Sequence, residues 1–184
     1  KTLNLRITFL WTDMSTNSFK VTNDVSSFCD IALSHEHPSS FSRVSNRAKY
    51  KTVSTVYSPS LFHGSPQEDR EFDVVFIGQV DGYIDRERGI KKIQEHGIDI
   101  VVKDGKDGHL SWEQYSECVK NSKIVVNWTK FKYGGWHQAK GRIFEATLSG
   151  CLLVSEECAA VNYWFKPHQE YVPFTSNDQL IEKL

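Results

Sequence analysis

Lys140-Gly141-Arg142-Ile143-Phe144-Glu145-Ala146-Thr147-Leu148-Ser149-Gly150-Cys151-Leu152-Leu153-Val154 is the stretch whose reading decides the fold. It reads as a short helix with one carboxylate in its first turns, a glycine stop, then a buried strand. Gly150 stands where a helix ends on a left-handed residue, a conformation glycine adopts without clash. Cys-Leu-Leu-Val is a continuous apolar run, as expected of a strand covered on both faces. Helix amides and cations hold phosphates, and a carboxylate accepts from a vicinal diol. Lys140, Gly141, Arg142 and Glu145 together therefore suit a nucleotide sugar. A solvent-facing glutamate on an amphipathic helix accounts for the same residues.

Working outward, the pattern is regular from Phe72 onward. Phe72 to Gly78 is an apolar strand ending in glycine, and Asp85 to His96 has helical spacing stopped by Gly97. Ile98 to Val102 reads as a second strand, and Ser111 caps a helix through Cys118 with Glu113 and Gln114 in its first turn. Ile124 to Asn127 is a third strand and Cys151 to Val154 a fourth. A helix from Ala159 to Phe165, a strand from Tyr171 to Phe174 and a helix begun by Ser176 complete the series. Short apolar strands alternating with helices give an α/β fold, a Rossmann-like parallel sheet with helices on both faces. Ligands of such sheets bind at the carboxyl ends of the strands. The loops after Gly78, Lys103, Asn127 and Val154 all fall on that edge.

The first 70 residues are less regular, a partial α/β segment. Leu5 to Trp11, Asp30 to Ser34 and Lys51 to Tyr57 read as strands. Thr12 to Ser27 reads as loop and Ser39 to Asn46 as a short helix. Ser58-Pro59 and the polar run Gly64 to Glu71 read as a linker. The expected division is therefore residues 1–70 and 71–184.

Composition narrows the function classes. With 184 residues, 39% hydrophobic and 24% charged, the chain is an ordinary globular one. Lys plus Arg number 22 against 23 acidic residues, so no dominant positive field favours a nucleic-acid partner. No apolar run reaches the length of a membrane span, and no signal peptide is visible. Cys29, Cys118, Cys151 and Cys158 form no Cys-x-x-Cys pair, which points to reduced thiols and a cytoplasmic location. Asn127-Trp128-Thr129 spells a glycosylation acceptor but closes an apolar run, so it reads as coincidence.

Several other groups fall on or near the ligand edge. Gly78 opens a loop whose glycines let backbone amides approach a phosphate, although Gly-x-Gly-x-x-Gly is absent. Arg86 and Arg88 sit at a helix head, where cations oppose the helix dipole. They either pair with Asp81, Asp85 or Glu87 on the surface or await an anion. Lys103 to His109 packs two Asp-Gly turns into one loop. Lys130 to Gln138 mixes aromatic, basic and paired glycine residues, a composition suited to closing on a ring or a sugar. Glu156 and Glu157 read as caps for the helix near Ala159. His35-Glu36-His37 lacks further ligands at metal-site spacing, so no metal is expected.

The order Phe-Ile-Gly, arginine-bearing helix, Arg-Ile-Phe-Glu core, Gly, apolar strand and closing turn, strand and helix resembles the GT-B glycosyltransferases. The resemblance is to their group-1-like, CgeB-related branch, and it covers most of the chain from about Phe72. It implies a donor-binding half in which Glu145 holds the ribose while Arg142 and Lys140, with backbone amides, neutralise the diphosphate without a metal. The loop after Lys103 would border the nucleotide base. Nucleotide sugar is then a substrate, the acceptor an unknown glycan, protein or lipid, and no cofactor is implied. Residues 1–70 would be the end of the acceptor-side half, and the chain alone would bind donor without turnover. Retaining members carry a first glutamate eight positions before the ribose-binding one. Here that position is His137, so the catalytic details of those enzymes do not transfer. His137 is a candidate to hydrogen-bond the sugar or phosphate and equally a plain loop residue, and Lys140 and Arg142 are the better candidates to stabilise the departing diphosphate. A non-catalytic Rossmann-like scaffold derived from a transferase is the rival reading.

Overall fold

The computed structural model describes residues 7–9, 24, 28–34, 37–38, 50–53, 57–58, 60–64, 66–132 and 137–184. The chain divides into two compact units, Lys1–Val56 and Tyr57–Leu184. In the first, strands β1 (Ile7–Phe9), β2 (Ile31–Ser34) and β3 (Tyr50–Thr52) form a parallel sheet in the order β1-β2-β3. The expected helix over residues 39–46, most of the loop over 12–27, and two of the three residues of His35-Glu36-His37 lie outside the described residues.

The second unit alternates strand and helix as its apolar runs predict. β4 (Phe72–Ile77) leads to α1 (Ile84–Glu95), β5 (Ile100–Lys103), α2 (Trp112–Lys120) and β6 (Ser122–Asn127). α3 (Arg142–Leu148), β7 (Leu152–Glu156), α4 (Ala159–Asn162), β8 (Val172–Phe174) and α5 (Asn177–Lys183) follow. All five strands are parallel, in the order β5-β4-β6-β7-β8. Alternate residues of β4 feed two cores. Val75 and Ile77 pack with Val119, Ile143 and Val161, while Val74 and Phe76 pack with Ile93, Phe174 and Leu180. Helices thus cover both faces, and the Rossmann-like expectation holds.

Local chemistry sets the element ends. The Ser111 hydroxyl accepts from the Gln114 amide at 3.2 Å, and the Gln114 side chain accepts from the Ser111 amide at 2.9 Å, a complete capping box. Gly150 has φ of 68°; its amide donates to the Thr147 carbonyl and that of Cys151 to Ala146. These two bonds satisfy the last carbonyls of α3 and turn the chain straight into β7. The same pair of bonds closes α1. The Ile98 amide donates to the Ile93 carbonyl at 3.2 Å, so the strand expected from Ile98 begins at Ile100. α4 stops at Asn162, short of the expected Phe165.

The boundary expected at residues 70 and 71 lies earlier, before Tyr57. The supposed linker is packed into the second unit. Phe62 is buried, edge-on to Tyr57 and Tyr115 at 5.4 and 6.2 Å. The buried Arg70 guanidinium donates to the Ser122 and Ser149 carbonyls, each at 2.7 Å, joining the start of β6 to the end of α3.

Candidate functional site

The order β5-β4-β6 means the chain leaves β4 toward one side of the sheet and later returns on its other side as β6. The loops after β4 and β6 therefore run to opposite faces, α1 lying over one and α3 over the other. A crevice opens at the strands' carboxyl ends where such an order reverses, and ligands of open α/β sheets bind there. A cavity of about 570 Å³ occupies it. Gly78, Gln79 and Asp81 line it from the β4 loop, and Lys103 to Lys106 with Gly108 to Leu110 from the β5 loop. Tyr115 and Arg142 complete it from α2 and α3. Lys106 and Asp81 pair across its mouth at 3.3 Å.

Arg142, in the first turn of α3, projects into this cavity. Its guanidinium donates to Asn127 Oδ1 at 3.1 Å and lies 4.7 Å from the centre of the Phe76 ring, while its buried Nε has no partner. Gly78 faces it with φ of 142°, and a Cβ there would collide with the guanidinium. Glycine at 78 thus leaves room for the arginine and exposes a backbone approach.

Arg86 corrects the surface-pairing reading. It is only 5% exposed, donates to the Gln79 carbonyl, and stacks 3.9 Å from the Tyr83 ring centre and 5.1 Å from that of Phe76. Burial first, and Arg142 second, holds its pKa down at about 10. The acids once expected beside it are used elsewhere: Glu87 accepts from the Gly82 amide at 2.7 Å and Asp85 pairs with Lys130 at 2.6 Å. Arg86 lines a second cavity, about 380 Å³, with Tyr83, Trp128, Lys130, Phe131 and Lys132. Two guanidiniums therefore flank Phe76, one facing each cavity.

Glu145 lies behind the first cavity and does not line it. It is 5% exposed, and its Oε2 accepts from the Tyr115 hydroxyl. Burial raises its pKa, opposed by Tyr115, Arg142 and Tyr57. Gly141 makes room for this arrangement, because a Cβ there would sit 2.6 Å from the Tyr57 hydroxyl and 3.3 Å from Glu145 Oε1. Lys140 lines neither cavity; its ammonium donates to Gln138 Oε1 and lies 5.3 Å from the Phe131 ring centre. His137 also lines neither. Its Nδ1 meets Thr129 Oγ1 at 2.7 Å and stands 4.0 Å from Glu156 Oε2.

Glu156 does not cap α4. Its buried Oε2 accepts from the Thr129 amide and hydroxyl at 2.9 and 3.0 Å and from the Lys130 amide at 3.2 Å, pinning the loop that leaves β6. Residues 133–136 of that loop lie outside the described residues. Asn127, Trp128 and Thr129 are almost fully buried, so the sequon is no acceptor. All four cysteines are free. Among the described residues, no cluster of His, Cys, Asp and Glu is grouped to hold a metal, and no helix is long and apolar enough to cross a membrane.

A doubly covered parallel sheet with an arginine-lined cavity at its switch point is the architecture of a GT-B Rossmann-like domain. Residues 66–184, well over half the chain, match the glycosyl transferase-like family, and the chain belongs to that family. Its structure is similar to that of HepE from Anabaena, solved in complex with UDP and glucose, with a TM-score of 0.62 at 11% identity. The likeness covers 96% of this chain and 60% of that one, so this chain spans about three fifths of its relative. No curated protein matches the chain.

Proposed function

We propose that this chain supplies the donor-binding half of a glycosyltransferase that moves a sugar from a nucleoside diphosphate to a glycan, protein or lipid acceptor. The observation that carries the reading is Arg142, a guanidinium with a buried, unpaired Nε, lining the switch-point cavity opposite Gly78. Phosphate oxygens would meet the cavity-facing edge of its guanidinium and the backbone approach at Gly78, and Arg86, on the far side of Phe76, would add positive potential toward the departing diphosphate. The base would sit against the loop after β5 and the ribose near Tyr115. A cavity of about 570 Å³ is roomy enough for a nucleotide. HepE was solved with UDP and glucose, which makes UDP the first nucleotide to try. The CgeB-related branch is the finer family reading, and free thiols fit a reducing compartment.

Calorimetric titration with UDP, ADP, GDP and UDP-glucose tests this. The expected result is micromolar binding of at least one, weakened in Arg142→Ala. Absence of binding by all four would overturn it. The rival reading, a non-catalytic module, draws on His137 in place of the first glutamate. Donor binding without sugar release, in the presence of any acceptor tried, would favour it.

A further inference from the structure

Resting on the donor reading, we infer that the second cavity, beside α1, is a subsite for a sugar that bears its own carboxylate, with Arg86 as the residue that meets that carboxylate. The two cavities share no lining residue. The fully buried Phe76 stands between their arginines, its ring centre 4.7 Å from the Arg142 guanidinium and 5.1 Å from that of Arg86. A diphosphate held in the first cavity by Arg142 and Gly78 leaves Arg86 facing the second cavity with no anion of its own.

Arg86 is the group that calls for one. It is 5% exposed, yet its hydrogen bond goes to a neutral acceptor, the Gln79 carbonyl, and its Nε has no partner. Among the described residues, no acid forms an ion pair with it. Glu87 and Asp85, on the same helix, are engaged by the Gly82 amide and by Lys130, and Glu156 by the Thr129 and Lys130 amides. A buried charge without a partner is destabilising, and an apolar side chain between Tyr83 and Phe76 would avoid that cost. The guanidinium is stabilised when an anion enters the cavity it lines.

The remaining walls indicate what carries the anion. Tyr83, Trp128 and Phe131 contribute aromatic surface, and about 380 Å³ is at the small end of ligand pockets. That suits one sugar ring, its C–H face against the aromatic walls and its polar groups toward the few charges. Among those charges, Arg86, Lys130 and Lys132 stand against Asp85 alone. Lys130 is balanced by Asp85 at 2.6 Å, with Glu156 at 3.8 Å, and Lys132 donates to the neutral Asp81 carbonyl at 3.3 Å. Positive charge is in excess, so an acidic sugar fits better than a neutral one. Arg86 is also set in advance. The Tyr83 ring at 3.9 Å and the Gln79 carbonyl fix its plane, and the planar edge of a guanidinium matches the two oxygens of a carboxylate. The acidic sugar is either the one the donor carries or the one at the end of the acceptor, and the chemistry at Arg86 is the same.

Calorimetry on the whole chain compares UDP-glucuronate with UDP-glucose, and methyl glucuronide with methyl glucoside in the presence of UDP. Wild type, Arg86→Met, Arg86→Lys and Arg142→Ala are measured. In wild type the acidic member of one pair should bind about ten- to a hundredfold more tightly, the effect of one charge-assisted bond. A preference in the first pair identifies the donor sugar as the source of the acid, and one in the second pair the acceptor. Arg86→Met should abolish the preference and Arg86→Lys keep part of it. Arg142→Ala should weaken both nucleotide sugars alike and leave their ratio unchanged. Equal binding within both pairs, or a preference that persists in Arg86→Met, would overturn the assignment, while UDP binding would leave the donor reading standing. Methyl glucuronide held through Arg86 with no nucleotide bound would remove the donor reading and keep the acid site. No binding of any ligand would remove both. Circular dichroism shows whether each variant is folded, and if Arg86→Met is not, the lowered ratio in Arg86→Lys carries the comparison.

Discussion

Arg142→Met separates a residue held for a ligand from one held for the fold. Arg142 is the second-largest cause, after burial, of the lowered pKa of Arg86 at about 10. At about 1.4 kcal/mol per tenfold, that depression amounts to about 3 kcal/mol of opposition to the Arg86 charge. Burial comes first among the causes and Arg142 second, so removing Arg142 relieves part of that opposition. The same substitution loses the 3.1 Å bond to Asn127 Oδ1, worth about 1 kcal/mol. The two effects oppose each other, and the melting temperature should stay within about 4 °C of wild type. Nucleotide affinity should fall much further. One charge-assisted bond to phosphate carries roughly 1.5–3 kcal/mol, so the Kd should rise roughly ten- to a hundredfold. Differential scanning fluorimetry and calorimetry on the same sample measure both. Unchanged affinity, or a melting temperature that drops in step with it, would refute the reasoning.

Arg70→Met leaves two buried carbonyls without a donor and should cost about 3–5 kcal/mol in urea unfolding, with Arg70→Lys recovering part of it. Gly78→Ala forces a side chain into a left-handed backbone and against the Arg142 guanidinium; it should lose about 1–2 kcal/mol of stability and weaken nucleotide binding in titration. Ser111→Ala removes the cap of α2 and should cost about 1 kcal/mol, seen as a lower urea midpoint at unchanged slope. Burial raises the Glu145 pKa, so the folded chain takes up its proton at a higher pH than the unfolded chain does. The stability of wild type relative to Glu145→Gln should therefore increase as pH falls through that raised value toward the ordinary carboxyl range, and a flat difference in denaturation across that window would contradict it.

What was legible in the sequence is what local chemistry determines. Gly150 announces the end of α3 because its two capping bonds reach only three and five residues back. Ser111 and Gln114 announce the start of α2 for the same reason. That Gly78 and Arg142 fall on the carboxyl edge was readable because apolar strands define that edge, and both line the cavity there. Partners distant in sequence were not readable. A tyrosine in an amphipathic helix looks like core, and nothing near Tyr115 says that its hydroxyl reaches Glu145, 30 residues on. Arg86 looks like a surface charge until Phe76, on another element, comes under its guanidinium. Glu156 looks like a cap for the helix beside it, yet it spends its carboxylate on backbone 27 residues earlier. The linker was misread because polar composition says nothing of an arginine whose targets lie 52 and 79 residues away.

The packing of Tyr57 and Phe62 bears on how domains of this family are exchanged between proteins. A chimaera cut where the family match begins, at residue 66, would keep every residue that lines the switch-point cavity. It would still leave behind the Tyr57 hydroxyl that lies across Gly141 from Glu145 and the ring that backs Tyr115. Such a hybrid inherits the lining of one protein and the backing of another, so under the proposed donor reading its nucleotide preference would shift with no lining residue changed. Crossovers placed before Tyr57 transplant the wall whole.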